Sequence, residues 1–392
     1  MSILNKTNNK FSEFYDKFVN IETIRNVFFY LGITMVFISI SYDYSIIKFK
    51  LLTTNALLYS GITLLALKIF LTKESLYNYI KYLICILLAI ICDSVIGNSK
   101  TALIIILYMI SSKKIDRNNF FKYLFLLNYT IILFNLYIYF SNQFLGFNFF
   151  DAKIDAGYYL YRNDLVRHGF YFYHPNAFSF YLFWTYILYI YLQWDNLKSK
   201  KNYVIIFIVS VLLAGVCFLC TQSRTASIFF LISVPLLLLF KNKKFQESKI
   251  TKHTLSYFYV IMFNISMFLL FVFKQKNILG VISQKINVLL SNRILLGDLE
   301  LSKYGLMVFG QSRISFNDFV VDNGYYHILI KYGLLATVFF LCLFVKTSKR
   351  LYKTKDYKGL YLIILFCIYN FIEALLVHPQ IAIVYVILGM FI

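Results

Sequence analysis

Apolar residues along this chain fall in long, nearly unbroken runs rather than in the stripes of half-buried elements. A bilayer-crossing helix needs roughly 17–25 mostly apolar residues. Runs near 25–42, 51–71, 79–93, 98–111, 121–141, 176–194, 202–220, 223–240, 255–273, 324–345, 358–376 and 379–392 meet or approach that length. They predict twelve membrane helices, with 79–93 and 98–111 readable as one broken span. Lipid offers the backbone no hydrogen bonds, so the expected class is an all-α polytopic membrane protein. The whole of 1–392 reads as one membrane domain.

Composition narrows the class further. Of 392 residues, 60% are hydrophobic and only 15% charged. A soluble enzyme could not cover itself with so little polar surface, and a disordered chain would not be so apolar. Abundant Tyr, Phe, Ile, Asn and Lys read as the product of an AT-rich, bacterial genome. The net charge of +21 does not point to nucleic acid, because the runs leave no separate basic domain. It points to topology. Lys113, Lys114, Arg117 and Lys122, then Lys198, Lys200 and Lys201, then the lysines of 241–252 and the basic residues of 346–358 all fall on one side if the spans alternate. The positive-inside rule makes that side, with both termini, cytoplasmic, and the first span reads as retained in the plasma membrane.

The six cysteines lie in or beside the runs and read as packing residues. No phosphate-binding Walker loop, dinucleotide fingerprint or HExxH is present. No cofactor is therefore expected.

Two loops on the outer side are much longer than the rest, 142–175 and 274–323. The first holds Asp151, Asp155, Arg162, Asp164, Arg167, His168 and His174; the second holds Arg293, Asp298, Glu300, Arg313, Asp318 and Asp322. Long ordered loops usually carry function. Helix starts on that side share a pattern. One opens His174-Pro175-Asn176, another Thr221-Gln222-Ser223-Arg224-Thr225-Ala226, a third Asp322-Asn323-Gly324-Tyr325. Asn98-Ser99-Lys100-Thr101-Ala102 and His378-Pro379-Gln380 echo the second and the first.

Free N–H groups and the dipole make a helix start an anion site. An arginine in a first turn opposes that dipole unless an anion sits there. Arg224, with Arg293 or Arg167 nearby, thus predicts a diphosphate site at the outer boundary. Simpler roles stand beside this one. Ser223 and Asp322 suit N-caps, and Arg224 can snorkel to headgroups. His174 suits an interfacial ring and His327 a core ring, while Lys331 can pair with Glu373. The Tyr/Phe runs near 158–173 suit an interfacial belt or sugar stacking.

Several runs together resemble the Wzy-type polysaccharide polymerases of O-antigen, capsule and exopolysaccharide synthesis and the related O-antigen ligases. They are Arg224-Thr225-Ala226 after Thr221-Gln222-Ser223, Asn292-Arg293-Ile294, Phe309-Gly310-Gln311, Val321-Asp322-Asn323-Gly324-Tyr325 and Gly333-Leu334-Leu335. The likeness covers about 170–345 in motifs. It implies a GT-C-like fold and a metal-independent glycosyl transfer at the outer leaflet. The donor would be an undecaprenyl-diphosphate-linked glycan, and the acceptor the non-reducing sugar of another lipid-linked repeat unit. Arg224 and Arg293 match arginines that contact the diphosphate; Ser223 and Arg167 would flank them. Asp322 stands where the ligases carry a histidine, which makes Asp322 or His327 the base. His174, Asn176, Asn323 and Tyr325 would face the glycan. Expected partners are membrane lipids, a flippase and a chain-length regulator. Competing readings are a lipid-linked oligosaccharide flippase, a ligase onto a cell-wall acceptor and a non-catalytic scaffold.

Overall fold

A computed structural model describes residues 21–43, 51–97, 99–145, 159–162, 165–172, 174–311, 322–378, 382–390 and 392. The first two helices, α1 (Ile21–Asp43) and α2 (Leu51–Phe70), form an antiparallel pair in which Gly32 faces Gly61 and Ser39 Oγ donates to the Thr54 carbonyl at 2.9 Å. Next come α3 (Leu76–Val95), capped by Ser75, then α4 (Thr101–Ser111) and α5 (Arg117–Leu145). A small antiparallel hairpin follows, β1 (Tyr159–Arg162) and β2 (Leu165–His168), which the helical reading of the sequence did not foresee. The chain then forms α6 (Pro175–Leu192), α7 (Lys200–Thr221), α8 (Arg224–Lys241), α9 (Lys243–Glu247), α10 (Lys249–Ser256) and α11 (Phe258–Val272). The second long loop contains α12 (Ile278–Leu289) and α13 (Arg293–Tyr304). Last are α14 (Gly324–His327), a π turn (Ile328–Tyr332), α15 (Gly333–Lys353), α16 (Tyr357–Asn370) and α17 (Ala382–Gly389).

Twelve spans was an overcount. Seven described helices are long and apolar enough to cross a membrane, or eight when α10 and α11, bent by 64°, count as one span. The cause is helix length: α4, α16 and α17 have only 11, 14 and 8 residues. Helix α4, at 11 residues, rises only about 16 Å, half the hydrocarbon core. In α16 every residue from Leu360 to Cys367 is 2% exposed or less, and α17 is as deeply covered. These helices are apolar all round because other helices surround them, not because lipid does. Hydropathy along a sequence does not separate the two environments. Helix α7 is the contrast: Ile205, Ile208, Leu212 and Leu219 are exposed and give it a lipid-facing side.

The bundle has two distinct ends. At one, Arg117 pairs with Asp356, Lys358 lies 3.5 Å from Asp195, Lys241 donates to the Trp194 carbonyl and the Tyr352 hydroxyl to that of Gln246. That end gathers the starts of α5 and α16 and the ends of α6, α8 and α15. The other end gathers the hairpin, the start of α6, the α7–α8 junction, α13, the start of α14 and the end of α16. The described parts of both long loops therefore lie together at this end.

The span Gly324–Lys353 is not a continuous α-helix. At the π turn its regular hydrogen bonding lapses, and Gly333 leaves it at φ 86°. Residues 307–311 repair the gap. Leu334 N donates to Met307 O at 2.9 Å, Gln311 N to Lys331 O at 3.1 Å, and the Gln311 amide to Ile330 O at 2.9 Å. The Phe309-Gly310-Gln311 and Gly333-Leu334-Leu335 motifs are thus two sides of one backbone contact. A Cβ on Gly310, itself at φ 89°, would sit 2.3 Å from Lys331 O. Interrupted helices in membranes need this kind of internal repair.

Candidate functional site

Two helices at the loop-bearing end begin with arginine, and each is reached through a left-handed residue. Gln222 (φ 53°) ends α7, and Arg224 opens α8. Ser291 and Asn292 (φ 55° and 65°) follow α12, and Arg293 opens α13. Left-handed backbone costs a non-glycine residue roughly 1–2 kcal/mol. Both junctions accept that cost and set a guanidinium at the positive end of a helix dipole, where a cation is unfavourable alone.

Around Arg293 the chain supplies its own compensation. Arg293 Nη2 lies 2.9 Å from Glu373 Oε1 and 3.3 Å from Asp322 Oδ2, and Nη1 donates to Leu290 O at 3.3 Å. Asp322 is therefore an ion-pair partner rather than the expected N-cap. That cap is Asn323, whose Oδ1 accepts from Tyr325 N (2.9 Å) and Tyr326 N (3.2 Å). The Asn323 amide also donates to Phe371 O at 2.7 Å, which ties the two carboxylate-bearing segments together. The expected pairing of Lys331 with Glu373 is not formed: Glu373 pairs with Arg293, and the carboxylates that act on Lys331 are Glu300 and Asp93. Burial, opposed by Arg293 and helped by Asp322, pushes the Glu373 carboxyl up to about 7. Burial also raises Asp322, against the pull of Arg293. Two carboxylates thus share one guanidinium, and the pair holds a proton more readily than free acids do.

The α7–α8 junction joins this cluster. Thr225 lies beside the Glu373 carboxylate. Its neighbour Arg224 is exposed, and among the described residues its guanidinium makes no hydrogen bond or ion pair. Ser223 stands at the N-cap position without capping through its side chain; its N–H donates to Cys217 O and Thr221 Oγ1.

On the other flank of the same junction, Arg167 Nε donates to Thr221 O at 2.9 Å and Nη2 to Asn176 Oδ1 at 2.8 Å. His174 Nδ1 accepts from Asn176 N at 3.1 Å and so caps α6. Burial, with Arg167 adding to it, holds His174 down to about 4, so the ring is neutral and can accept. Arg167, His174 and Asn176 are thus brought to the last turn of α7, within a few residues of Arg224.

Other expected ligand contacts lie elsewhere. Tyr325 is fully buried and its hydroxyl donates to Cys367 O at 2.9 Å, so its ring is core and not a glycan platform. Asn323, 1% exposed, is spent on the helix cap and the Phe371 carbonyl. His327 lies a turn further along, its ring 6.1 Å from that of Tyr332. The start of α4 is no open anion site: Asp93 accepts from Ala102 N (3.1 Å) and Leu103 N (2.9 Å). His378 packs on Phe180, ring centroids 5.9 Å apart. Asn98, Asp151, Asp155, Asp164, Arg313, Asp318, Val321, Pro379 and Gln380 lie outside the described residues. Sequence reading missed Glu373 as a site residue. Its one signal was an acidic residue closing a long apolar run.

A cavity of about 120 Å³ opens between α3, α4 and α15, lined by apolar side chains such as Ala89, Ile106 and Phe340. Leu376, three residues past Glu373, forms part of its wall.

Gly324 fixes the geometry between these parts. A Cβ there would fall 2.0 Å from Asn370 Oδ1, which is fully buried and already accepts from Leu376 N. Gly324→Ala is expected to cost about 1–3 kcal/mol through overpacking. It should also displace Asp322. Thermal unfolding of the purified variant checks this; an unchanged midpoint would show that the amide yields freely.

The chain is a multi-pass helical membrane protein, and compared with protein-family models, curated proteins and solved structures it matches none of them.

Proposed function

We propose that this chain is a metal-independent membrane glycosyltransferase, an oligosaccharide repeat-unit polymerase. The observation that carries the reading is the pair of helix-opening arginines at one end of the bundle. Arg293 is held by Asp322 and Glu373, and Arg224 stands exposed at the neighbouring helix start. A lipid-linked diphosphate fits such a place. Free N–H groups and the dipole favour the anion, and a guanidinium grips phosphate oxygens in pairs.

In the reaction, an acceptor sugar hydroxyl attacks C1 of the donor sugar. The bond from C1 to the diphosphate oxygen breaks, and its electron pair leaves with the diphosphate. The hydroxyl proton passes to a carboxylate. Asp322 or Glu373 takes that proton, with His327, one turn further along the helix that Asp322 precedes, as the alternative. Arg224 and Arg293 stabilise the charge that develops on the leaving group. Arg167 and Ser223 hold the junction that presents Arg224, and His174 and Asn176 border the glycan side. The isoprenoid chain would use the apolar crevice beside Leu376. The end rich in Lys113, Lys114, Arg117, Lys241 and Lys358 would be cytoplasmic and the site extracytoplasmic.

Cells lacking the chain are expected to accumulate single repeat units on lipid. Full-length polymer left on lipid would make it a ligase, and units trapped in the inner leaflet a flippase; either overturns the reading.

A base with a raised pKa gives a signed pH profile. The rate of chain extension should climb as pH passes about 7 and Glu373 deprotonates. Glu373→Gln should flatten that limb. Stability runs the other way. The folded chain holds this proton more tightly than the ordinary 4.5, so the group favours folding at low pH and loses that effect between about 4.5 and about 7. A rate independent of pH over 6–8 in the parent protein would assign the base elsewhere.

A further inference from the structure

At the end of the bundle opposite the candidate site, Lys68 is fully buried near the end of α2. Its ammonium donates to the Lys113 carbonyl, just past the end of α4, and lies 5.9 Å from the Phe29 ring. The charged groups that act on it are Arg25, Lys114, Lys113 and a single carboxylate, Glu74. Glu74 is itself engaged by the Asn78 amide at 2.8 Å. Arg25 is 12% exposed; its nearest carboxylate, Glu22, is 3.8 Å away and 77% exposed. The Arg25 Nε is buried with no partner among the described residues. Lys113 in turn faces Lys81, Lys346 and Lys114 as well as Glu74.

A helix C-terminus carries about half a negative charge, too little for this many cations. A buried charge without a partner costs several kcal/mol. Among the described residues the cluster therefore lacks an anion to match its charge. The surface around it says which kind. Ile24, Val27 and Leu31 of α1, Leu67 and Phe70 of α2, and Ile80 of α3 are exposed and apolar. Cations at the edge of such a surface match a molecule with a phosphate head and hydrocarbon tails.

We propose that Arg25, Lys68, Lys113 and Lys114 form a headgroup site for an anionic phospholipid, with its acyl chains on the exposed faces of α1 and α2. Basic pockets between helices on the cytoplasmic side bind lipid phosphates in this manner. The site is separate from the transferase reading and stands without it.

Native mass spectrometry and thermal unfolding of the purified full chain, with phosphatidylglycerol or phosphatidylcholine added, test the proposal. Phosphatidylglycerol should be retained and should raise the unfolding midpoint by several degrees, and phosphatidylcholine should do neither. Arg25→Gln with Lys114→Gln should lower the retained phosphatidylglycerol about tenfold while the protein stays monodisperse. Lys276→Gln with Lys285→Gln, remote from the cluster, should leave it unchanged. Lys68→Met removes the buried charge and should shrink the lipid-dependent rise in midpoint. Equal retention of both lipids, or equal retention by the Arg25/Lys114 variant, would overturn the site. Stabilisation by inorganic phosphate as large as that by phosphatidylglycerol would overturn the lipid as its occupant.

Discussion

Arg293→Ala should abolish chain extension and also unfold the protein more easily. The guanidinium is 9% exposed and is the shared partner of Asp322 and Glu373. Removing one member of a buried ion pair typically costs about 3–5 kcal/mol, because the remaining charge is left uncompensated. Here two carboxylates would be stranded together, so the pair would take up a proton and the start of α14 would loosen. The loss of a positioned donor for the leaving group adds about 10²–10³ in rate. The two effects separate in a double variant. Arg293→Met with Glu373→Gln removes the stranded charge and should recover most of the unfolding midpoint, yet it should extend chains far more slowly than Glu373→Gln alone, which lacks the same carboxylate. Extension as fast as in Glu373→Gln alone, together with recovered stability, would show that Arg293 only holds the fold.

Arg224→Ala is expected to give the opposite combination. This side chain is exposed and makes no ion pair among the described residues. As a cation in a first turn it opposes the helix dipole, so its removal should leave stability unchanged or raise it by about 0.3–1 kcal/mol. If the residue grips the substrate's diphosphate, the rate should nevertheless fall about 10²–10³-fold. Arg224→Lys keeps the charge but loses the planar fork, and should recover part of the rate. A snorkelling residue would show no loss of rate at all. Lipid-linked glycan profiles of complemented cells, with membrane levels of each variant matched, read this directly.

The sequence announced the helical elements well and their environment poorly. The long apolar runs became helices, yet α4, α16 and α17, at 11, 14 and 8 residues, are too short to cross lipid. A run of Ile, Leu and Phe reads alike whether its neighbours are acyl chains or other helices. At the site, Arg224 was legible because a cation at a helix start violates a local rule, while Arg293 was legible only as a loop arginine within the Asn292-Arg293-Ile294 run, its helix start unforeseen. Glu373 was not legible. It meets Arg293 across 80 residues, and nothing nearby in sequence signals the pairing. Asp322 and Asn323 both suit a cap by type, and only the ion pair to Arg293 decides that Asn323 takes the role. Tyr325 was expected to face the glycan from the resemblance, but its ring is fully buried and its hydroxyl donates to the Cys367 carbonyl.

Reconstitution tests the central claim most directly. Purified protein in liposomes, given lipid-diphosphate-linked repeat units in the presence of EDTA, should produce a ladder of extended glycans and release one lipid diphosphate per linkage formed. The same preparation carrying Arg224→Ala should bind the donor weakly and make no ladder. Extension that needs an added divalent cation, or that proceeds at full rate in the Arg224 variant, would contradict the account.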